Sequence, residues 1–114
     1  MRKFKSGATR SELAAKPQPE GYNSPLVEWR FAQFMLKHQL QEDGTRRPAD
    51  NWQNGIDLNV YIDSMHRHYH DVWLHHRGYN DLATEPLEEA LCALRFNVNG
   101  YLFEILDGRT KVGR

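Results

Sequence analysis

The stretch LEEALCALRFNVNGYLFEIL (residues 87–106) carries the strongest helical pattern in the chain. Its apolar side chains recur at alternating steps of four and three residues, which places them on one face of an α-helix. Thr84 can cap this helix, Pro86 suits its first turn, and Gly108 marks its end. The apolar face consists of Leu87, Leu91, Leu94, Val98, Tyr101 and Ile105.

Two earlier segments also predict helices. The first begins at Ser24, which can cap it, with Pro25 at the first helical position. Its side chains along one face are Val27, Phe31, Phe34, Met35 and His38. The second runs from Asp57, as its cap, to His76, and Gly78 stops it. Its apolar face consists of Ile62, Met65, Tyr69, Val72, Trp73 and His76.

These segments predict an all-α fold. A chain of 114 residues is long enough for one domain and too short for two. We find no convincing strand pattern, so residues 24–108 are expected to form a small bundle of three main helices. Residues 1–23 are predicted to be an extended N-terminal arm, because they combine glycines and prolines with few apolar side chains. Residues 109–114 form a polar tail.

The last helix also carries a second apolar line, which indicates self-association. The line consists of Cys92, Phe96 and Phe103, with Ala93 and Gly100 beside it. Small side chains let another backbone approach closely, so we expect a dimer or a higher homo-oligomer. The alternative is that the N-terminal arm covers this line.

The composition limits the classes of partner. The chain has 15 basic and 15 acidic residues, so no net positive charge attracts nucleic acid, and a nucleic-acid partner is not expected. No apolar run approaches the roughly 20 residues of a membrane span, so we expect no membrane partner. The single cysteine cannot form an internal disulfide, which suits a reducing compartment. These observations predict a cytosolic protein.

Five of the six histidines lie within residues 65–78, on the second helix. His66 and His70 are four residues apart, and Asp63 lies on the same edge of the helix. Two imidazoles at this spacing can bind one divalent metal ion when other ligands join them. The alternative is an amphipathic helix that carries histidines at its borders.

Glu88 and Glu89 are candidate acids in the first turn of the last helix. A carboxylate there stabilises the helix dipole, which is one interpretation of both residues. The other is that one of them faces Asp63 or Asp71 on an antiparallel helix. Carboxylates paired across two helices can hold Mg²⁺ near phosphates.

Three stretches together resemble a known family. They are KFKSGATRSELAAKP (residues 3–17), NWQNGI (51–56) followed by DSMHRH (63–68), and the segment 87–106. Their order and spacing are similar to those of a bacteriophage family of dATP/dGTP diphosphohydrolase N-terminal-type domains. Asn51, Trp52 and Gly55 match that family's loop, and Arg67 and His68 match its "R-H" pair.

The resemblance implies a phage nucleotide-handling enzyme in the cytoplasm of the infected bacterial host. It would hydrolyse purine deoxynucleoside triphosphates to the monophosphate and pyrophosphate with Mg²⁺ or Mn²⁺. By label the family is similar to MazG-like nucleotide pyrophosphohydrolases, which hold Mg²⁺ with an ExxE pair and a later ExxD pair.

The candidate site residues fall into three groups. The nucleotide-binding candidates are Arg10, Asn51, Trp52, Arg67 and Asn97. In this interpretation the tryptophan stacks on a base, the asparagine amides hydrogen-bond the edge of the base, and the arginine guanidinium groups bind phosphate. The metal candidates are Asp63, His66, His70 and Glu88. The catalytic candidates are Arg67, His68, Glu88 and Glu89. The equally weighted alternative for Trp52 is that it anchors the loop on the helices.

Two other functions remain open on the sequence alone. The protein could bind a purine deoxynucleoside triphosphate or a host signalling nucleotide without hydrolysing it, and so sequester it. It could also be a small phage interaction protein that meets its partner through Phe96 and Phe103.

Overall fold

The computed structural model describes residues 2–10 and 16–110, apart from the side chains of Arg2, Arg10, Arg109 and Thr110. Within those ranges the chain is mostly helical, which confirms the all-α prediction. The helices are α1 (Pro19–Tyr22), α2 (Pro25–Gln39), α3 (Leu58–His76) and α4 (Leu87–Thr110). Two 3₁₀ turns, Asn51–Asn54 and Asn80–Leu82, precede α3 and α4.

Two of the three predicted helix caps are confirmed. The Ser24 hydroxyl accepts a hydrogen bond from the Val27 amide at 3.3 Å, and the Asp57 carboxylate accepts one from the Asn59 amide at 2.8 Å. The prediction for Thr84 is wrong, because α4 begins three residues later and the Thr84 side chain bonds Asp71 of α3 instead.

The N-terminal arm contains local structure that the sequence did not predict. Strand β1 (Arg2–Lys3) pairs antiparallel with β2 (Thr9–Arg10), and Gly7 supplies the positive φ of 86° in the turn between them. Strands of two residues are too short to show an alternating pattern. Residues 11–15 of the predicted arm and 111–114 of the predicted tail lie outside the described residues.

Helices α3 and α4 form an antiparallel pair. Tyr61, near the start of α3, lies against Gly100 in the second half of α4, whereas His75 at the end of α3 bonds the Glu85 carbonyl just before α4. A Cβ atom at Gly100 would overlap the Tyr61 ring, so the glycine permits this close approach. Helix α4 continues past Gly108, the predicted stop, since one glycine within a helix costs only about 1 kcal/mol.

Each helix of the pair turns a row of mostly small or polar side chains toward the other, and we call these rows the contact face. On α3 the contact face is Tyr61, Ser64, His68, Asp71 and His75, and on α4 it is Ala90, Ala93, Asn97, Gly100 and Glu104. All of these residues are buried or half-buried.

The apolar faces predicted from the sequence are displaced from the contact face by one residue, or about 100° around each helix. We call these displaced rows the outer stripe. It consists of Ile62, Met65, Tyr69, Val72 and His76 on α3 and of Leu91, Leu94, Val98, Tyr101 and Ile105 on α4. The helices were therefore predicted correctly, but their most apolar sides do not face each other.

Helix α2 packs on α4 through a small apolar cluster and a set of ion pairs. Phe34 of α2 is buried with Cys92 and Ala93 of α4. Above the cluster, Arg95 of α4 lies over the Phe31 ring at 4.2 Å and bonds Glu28 at 2.6 Å. This contact buries Cys92, which belongs to the line that was predicted to mediate self-association.

Candidate functional site

A cavity of about 370 Å³ lies between α2, the 51–54 turn, α3 and α4. Its apolar wall includes Phe34, Met35, Trp52, Ala93 and Phe96. Its polar lining includes His38, Gln39, Arg47, Asn51, Ser64, His68, Glu85 and Asn97. A mainly apolar wall with a few polar groups is typical of sites for small organic ligands.

Trp52 forms one wall of the cavity and also anchors its loop. Its ring contacts Phe103 edge-on, with centroids 5.1 Å apart, and Phe96 with centroids 6.0 Å apart. These contacts agree with the anchoring role, and the cavity position leaves the base-stacking role open. They also cover Phe96 and Phe103, the line that the sequence predicted as an interaction surface.

Two amides that were predicted to bind nucleotide line the same cavity. Asn97 is 6 % exposed, and its side-chain nitrogen donates to the Ala93 carbonyl at 2.7 Å. Asn51, at the start of the 51–54 turn, is exposed at the cavity. Asn51 and Asn97 are distant in sequence, so only the fold brings them together.

Tyr61 lines the cavity as well, and its hydroxyl group is unusual. The residue is 1 % exposed, and its hydroxyl oxygen is buried without a hydrogen-bond partner among the described residues. Burial raises the pKa of this phenol, so the group stays neutral. The sequence pattern does not mark Tyr61 as a site residue, because it lies beside the predicted apolar face rather than on it.

The predicted catalytic residue His68 also lies at the cavity. Its Nδ1 atom bonds Oε1 of Glu85, and both side chains are about one quarter exposed, at 26 % and 23 %. A carboxylate that bonds one imidazole nitrogen orients the ring and leaves the other nitrogen to act as a base. Glu85 was missed as a site residue, because its bond to His68 joins two segments of the chain.

Asp71 and His75 fix the connection between α3 and α4. The Asp71 carboxylate accepts bonds from the Thr84 amide at 3.0 Å and from its hydroxyl at 2.6 Å. Burial opposes ionisation of Asp71, but these bonds outweigh it and lower the pKa of the carboxyl group. The bond to the Glu85 carbonyl raises the pKa of His75, against the opposing effect of burial.

The predicted metal ligands are not brought together in one place. Asp63, His66 and His70 are exposed on the side of α3 away from the contact face, whereas Glu88 bonds Arg30 of α2 at 2.7 Å. Across residues 2–10 and 16–110, no group of three or more His, Cys, Asp or Glu side chains is arranged to hold a metal ion. The donor set predicted for Mg²⁺ or Mn²⁺ therefore does not form one site.

Glu88 and Glu89 face α2 rather than Asp63 or Asp71. The Arg30 guanidinium reaches both of them, with N···O distances of 2.7 and 3.4 Å, and Lys37 lies 3.6 Å from Glu89. These ion pairs join α2 to the first turn of α4. The structure thus gives both acids a role in helix packing.

Two carboxylate pairs escaped the sequence analysis. Glu85 and Glu88 have the ExxE spacing, and Glu104 and Asp107 have the ExxD spacing of the pyrophosphohydrolases. Glu88 and Glu104, the nearest members of the two pairs, lie about 24 Å apart along α4, given a rise of about 1.5 Å per residue. They cannot meet at one metal ion within a single chain.

The predicted arginines do not gather at the cavity. Arg67 is exposed and donates to the Ser64 hydroxyl at 2.9 Å, and the side chain of Arg10 lies outside the described part of the chain. Arg47 is instead the arginine that lines the cavity, and it makes no ion pair with any described residue. It lies in a polar loop without a distinguishing motif, so the sequence did not reveal it.

The chain matches no family model, no curated protein and no solved structure. Among the described helices, none combines the length and apolar character that a membrane crossing requires.

Proposed function

We propose that the protein binds a purine nucleotide in the cavity between α2, the 51–54 turn, α3 and α4. The observation that supports this is that Asn51 and Trp52 of the loop and Asn97 of α4, all nucleotide-binding candidates from the sequence, line the same cavity. An aromatic ring with amides nearby suits a heteroaromatic base, which stacks by its face and hydrogen-bonds by its edge.

The size of the cavity limits which part of the nucleotide it can hold. A volume of about 370 Å³ is near the lower end of the roughly 300–1,000 Å³ range of ligand pockets. The base and sugar occupy it, and the phosphates extend toward solvent. Arg47 supplies the positive charge for them, because its guanidinium group is not engaged by any described carboxylate.

Isothermal calorimetry with dATP, dGTP and a pyrimidine triphosphate, with and without Mn²⁺, tests binding. We expect the purine nucleotides to bind more tightly, and Asn51→Ala to weaken binding by about 5- to 10-fold, the value of one hydrogen bond. Asn54→Ala is the matched control, since it changes the same 3₁₀ turn outside the cavity. Absence of binding in every titration, or equal affinities for both variants, contradicts the proposal.

A second pair of variants tests where the phosphates lie. Arg47→Ala should weaken binding of a deoxynucleoside triphosphate much more than binding of the corresponding deoxynucleoside. Arg77→Ala, an exposed arginine on the far end of α3, is the control for the loss of one positive charge. If Arg47→Ala weakens both ligands equally, the arginine supports the loop rather than the phosphates.

Hydrolysis of the bound purine deoxynucleoside triphosphate to monophosphate and pyrophosphate is a second candidate function. The observation that favours it is that the His68–Glu85 pair lies at the cavity. In this proposal His68 takes a proton from the attacking water, and Glu85 orients its ring. The setting would be the cytoplasm of an infected bacterium.

Release of pyrophosphate, measured with Mg²⁺ and with Mn²⁺, separates the two functions. A hydrolase releases it, and His68→Asn then lowers the rate by about 100-fold or more while the Kd changes little. Binding without release identifies a protein that sequesters its nucleotide. We also propose that the protein forms a homo-oligomer.

A further inference from the structure

The outer stripe leaves large apolar side chains in water. On α3, Ile62, Tyr69 and Trp73, which borders the stripe, are 40 %, 56 % and 50 % exposed. On α4, Leu91 and Val98 are each 47 % exposed. A helix in a folded monomer normally buries its most apolar side, but no segment within residues 2–10 and 16–110 covers these helices there.

The two halves of the outer stripe lie on the same side of the α3/α4 pair. Each stripe residue follows a contact-face residue by one position, which is a rotation of about 100° in the same sense on both helices. Because the helices are antiparallel, equal rotations from the contact face point to one side of the pair. The stripe therefore forms a single two-helix surface, about 21 Å long on each helix.

The cavity lies elsewhere on the pair. None of the stripe residues lines it, and α2 contacts α4 through Cys92 and Ala93 rather than through the stripe. The outer stripe is consequently separate from the candidate nucleotide site.

The exposed area of the chain fits a missing partner of substantial size. The accessible surface is 9207 Å², whereas a compact monomer of 13.4 kDa exposes about 6,500 Å². The radius of gyration is 19.1 Å, compared with about 13 Å for a compact domain of this length. The exposed residues 3–9 and 16–27 contribute to this excess of about 2,700 Å², so the excess is an upper limit on the area that a partner covers, and it is large enough for the roughly 800 Å² that each subunit of a standard-size dimer buries.

We infer that a second copy of this chain docks on the outer stripe through its own outer stripe. The two copies form a symmetric dimer in which the α3/α4 pairs stack face to face as four helices. An identical surface is the suitable partner, because the stripe carries no Asp, Glu, Lys or Arg and the chain has a formal net charge of zero. The helices of the second copy have the same lengths and the same apolar stripe as those of the first.

This inference specifies the self-association named in the proposed function and does not depend on nucleotide binding. The inferred interface differs from the one predicted from the sequence. Phe96 and Phe103 pack on Trp52, and the outer stripe lies on the opposite side of α4. The dimer and the nucleotide site can fail separately, because they use different residues.

Light scattering of the full chain during size-exclusion chromatography tests the dimer. We expect the wild-type protein to show twice its chain mass of 13.4 kDa. The double variant Leu91→Lys/Val98→Lys should dissociate it, with a Kd raised by about 100-fold or more, since each lysine must be buried in the interface. The matched control Leu26→Lys/Leu36→Lys changes two exposed leucines of α2 and should leave the dimer intact.

A wild-type monomer at all concentrations overturns the inference, and so does a stripe variant that remains dimeric. Dissociation by the α2 control places the interface on α2 instead. Calorimetry with dATP on the same samples keeps the two proposals apart, because a monomer that still binds nucleotide contradicts only the dimer.

Crosslinking of single cysteine variants gives an answer even if the lysine variant fails to fold. Val98→Cys should crosslink two copies with a short bismaleimide, and Leu36→Cys on α2 should not. Cys92 is buried and does not react at the surface. Equal crosslinking of both variants rejects the outer stripe as the interface.

Discussion

The two sides of α3 differ more than their sequences suggest. Tyr61 and Tyr69 lie eight residues apart on this helix, yet Tyr61 is 1 % exposed and Tyr69 is 56 % exposed. Tyr61 packs over Gly100 of α4, where the neighbouring positions are small or polar. Tyr69 belongs to the outer stripe, where the large aliphatic and aromatic side chains are.

The contrast between Tyr61 and Tyr69 shows what an apolar stripe on a helix indicates. Helices α3 and α4 approach closely because alanines and a glycine line their contact face, and polar side chains such as Asp71 and His75 close the end of the pair. The large apolar residues are too bulky for that narrow space. Their periodicity therefore marks a surface that the single chain leaves largely exposed, and that we propose is buried in the dimer, rather than the surface that holds one chain together.

The greatest loss of stability is expected from a variant in the contact face. Tyr61→Ala should lower the free energy of unfolding by about 3–4 kcal/mol, because it removes a fully buried ring and leaves a cavity beside Gly100. Tyr69→Ala is the matched variant on the same helix and should lower it by less than about 1 kcal/mol in the monomer. Urea unfolding measures both.

The dependence of the unfolding free energy on protein concentration tests the difference between Tyr61 and Tyr69 further. The Tyr69→Ala variant should lose more stability at high protein concentration than at low, because the wild-type side chain lies in the proposed dimer interface. If Tyr61→Ala and Tyr69→Ala have equal effects at low concentration, the contact face and the outer stripe do not differ as described.

Much of the fold is local and could be predicted from the sequence. Neighbouring residues alone determine the helix caps at Ser24 and Asp57. The same holds for the positive φ of Gly78, which follows α3. The direction in which each helix packs is not local. A shift of one residue separates the contact face from the outer stripe, and contacts between segments, such as the fit of Tyr61 over Gly100 and the bonds of Asp71 to Thr84, decide between them.

The candidate site shows the same limit. Asn51, Trp52, His68 and Asn97 were selected from the sequence, and the fold brings all four to one cavity. The metal candidates were chosen by spacing along α3, which cannot show which side of the helix faces the interior. Arg47 and Glu85 escaped selection because their roles arise from contacts between segments.

The next largest effect concerns the junction of α3 and α4. Asp71→Asn should lower the free energy of unfolding at pH 7 by about 2 kcal/mol, because the Thr84 hydroxyl loses a charged acceptor. Asp63→Asn, an exposed acid on the same helix, is the control and should change it little. Equal losses in both variants contradict the special role of Asp71.

The pH dependence of the same variants gives the sign of the effect. The pKa of Asp71 is lowered in the folded state, so its stabilisation is present above the unfolded pKa of about 4 and is lost as the pH falls through the folded value. The wild-type protein should therefore lose stability in acid more steeply than Asp71→Asn. A wild-type curve that parallels the variant below pH 4 rejects this assignment.

The smallest effect is expected for the ion pairs between α2 and α4. The Glu88 side chain is 73 % exposed, so water screens its pair with Arg30, and Glu88→Ala should move the urea midpoint by less than about 0.5 M. Glu89 is 19 % exposed and meets both Arg30 and Lys37, so Glu89→Ala should have the larger effect of the two. Both effects should shrink in high salt, which screens charges near the surface. A Glu88→Ala variant that keeps its stability but loses affinity for Mn²⁺ would instead make this carboxylate a metal ligand, which the packing role does not predict.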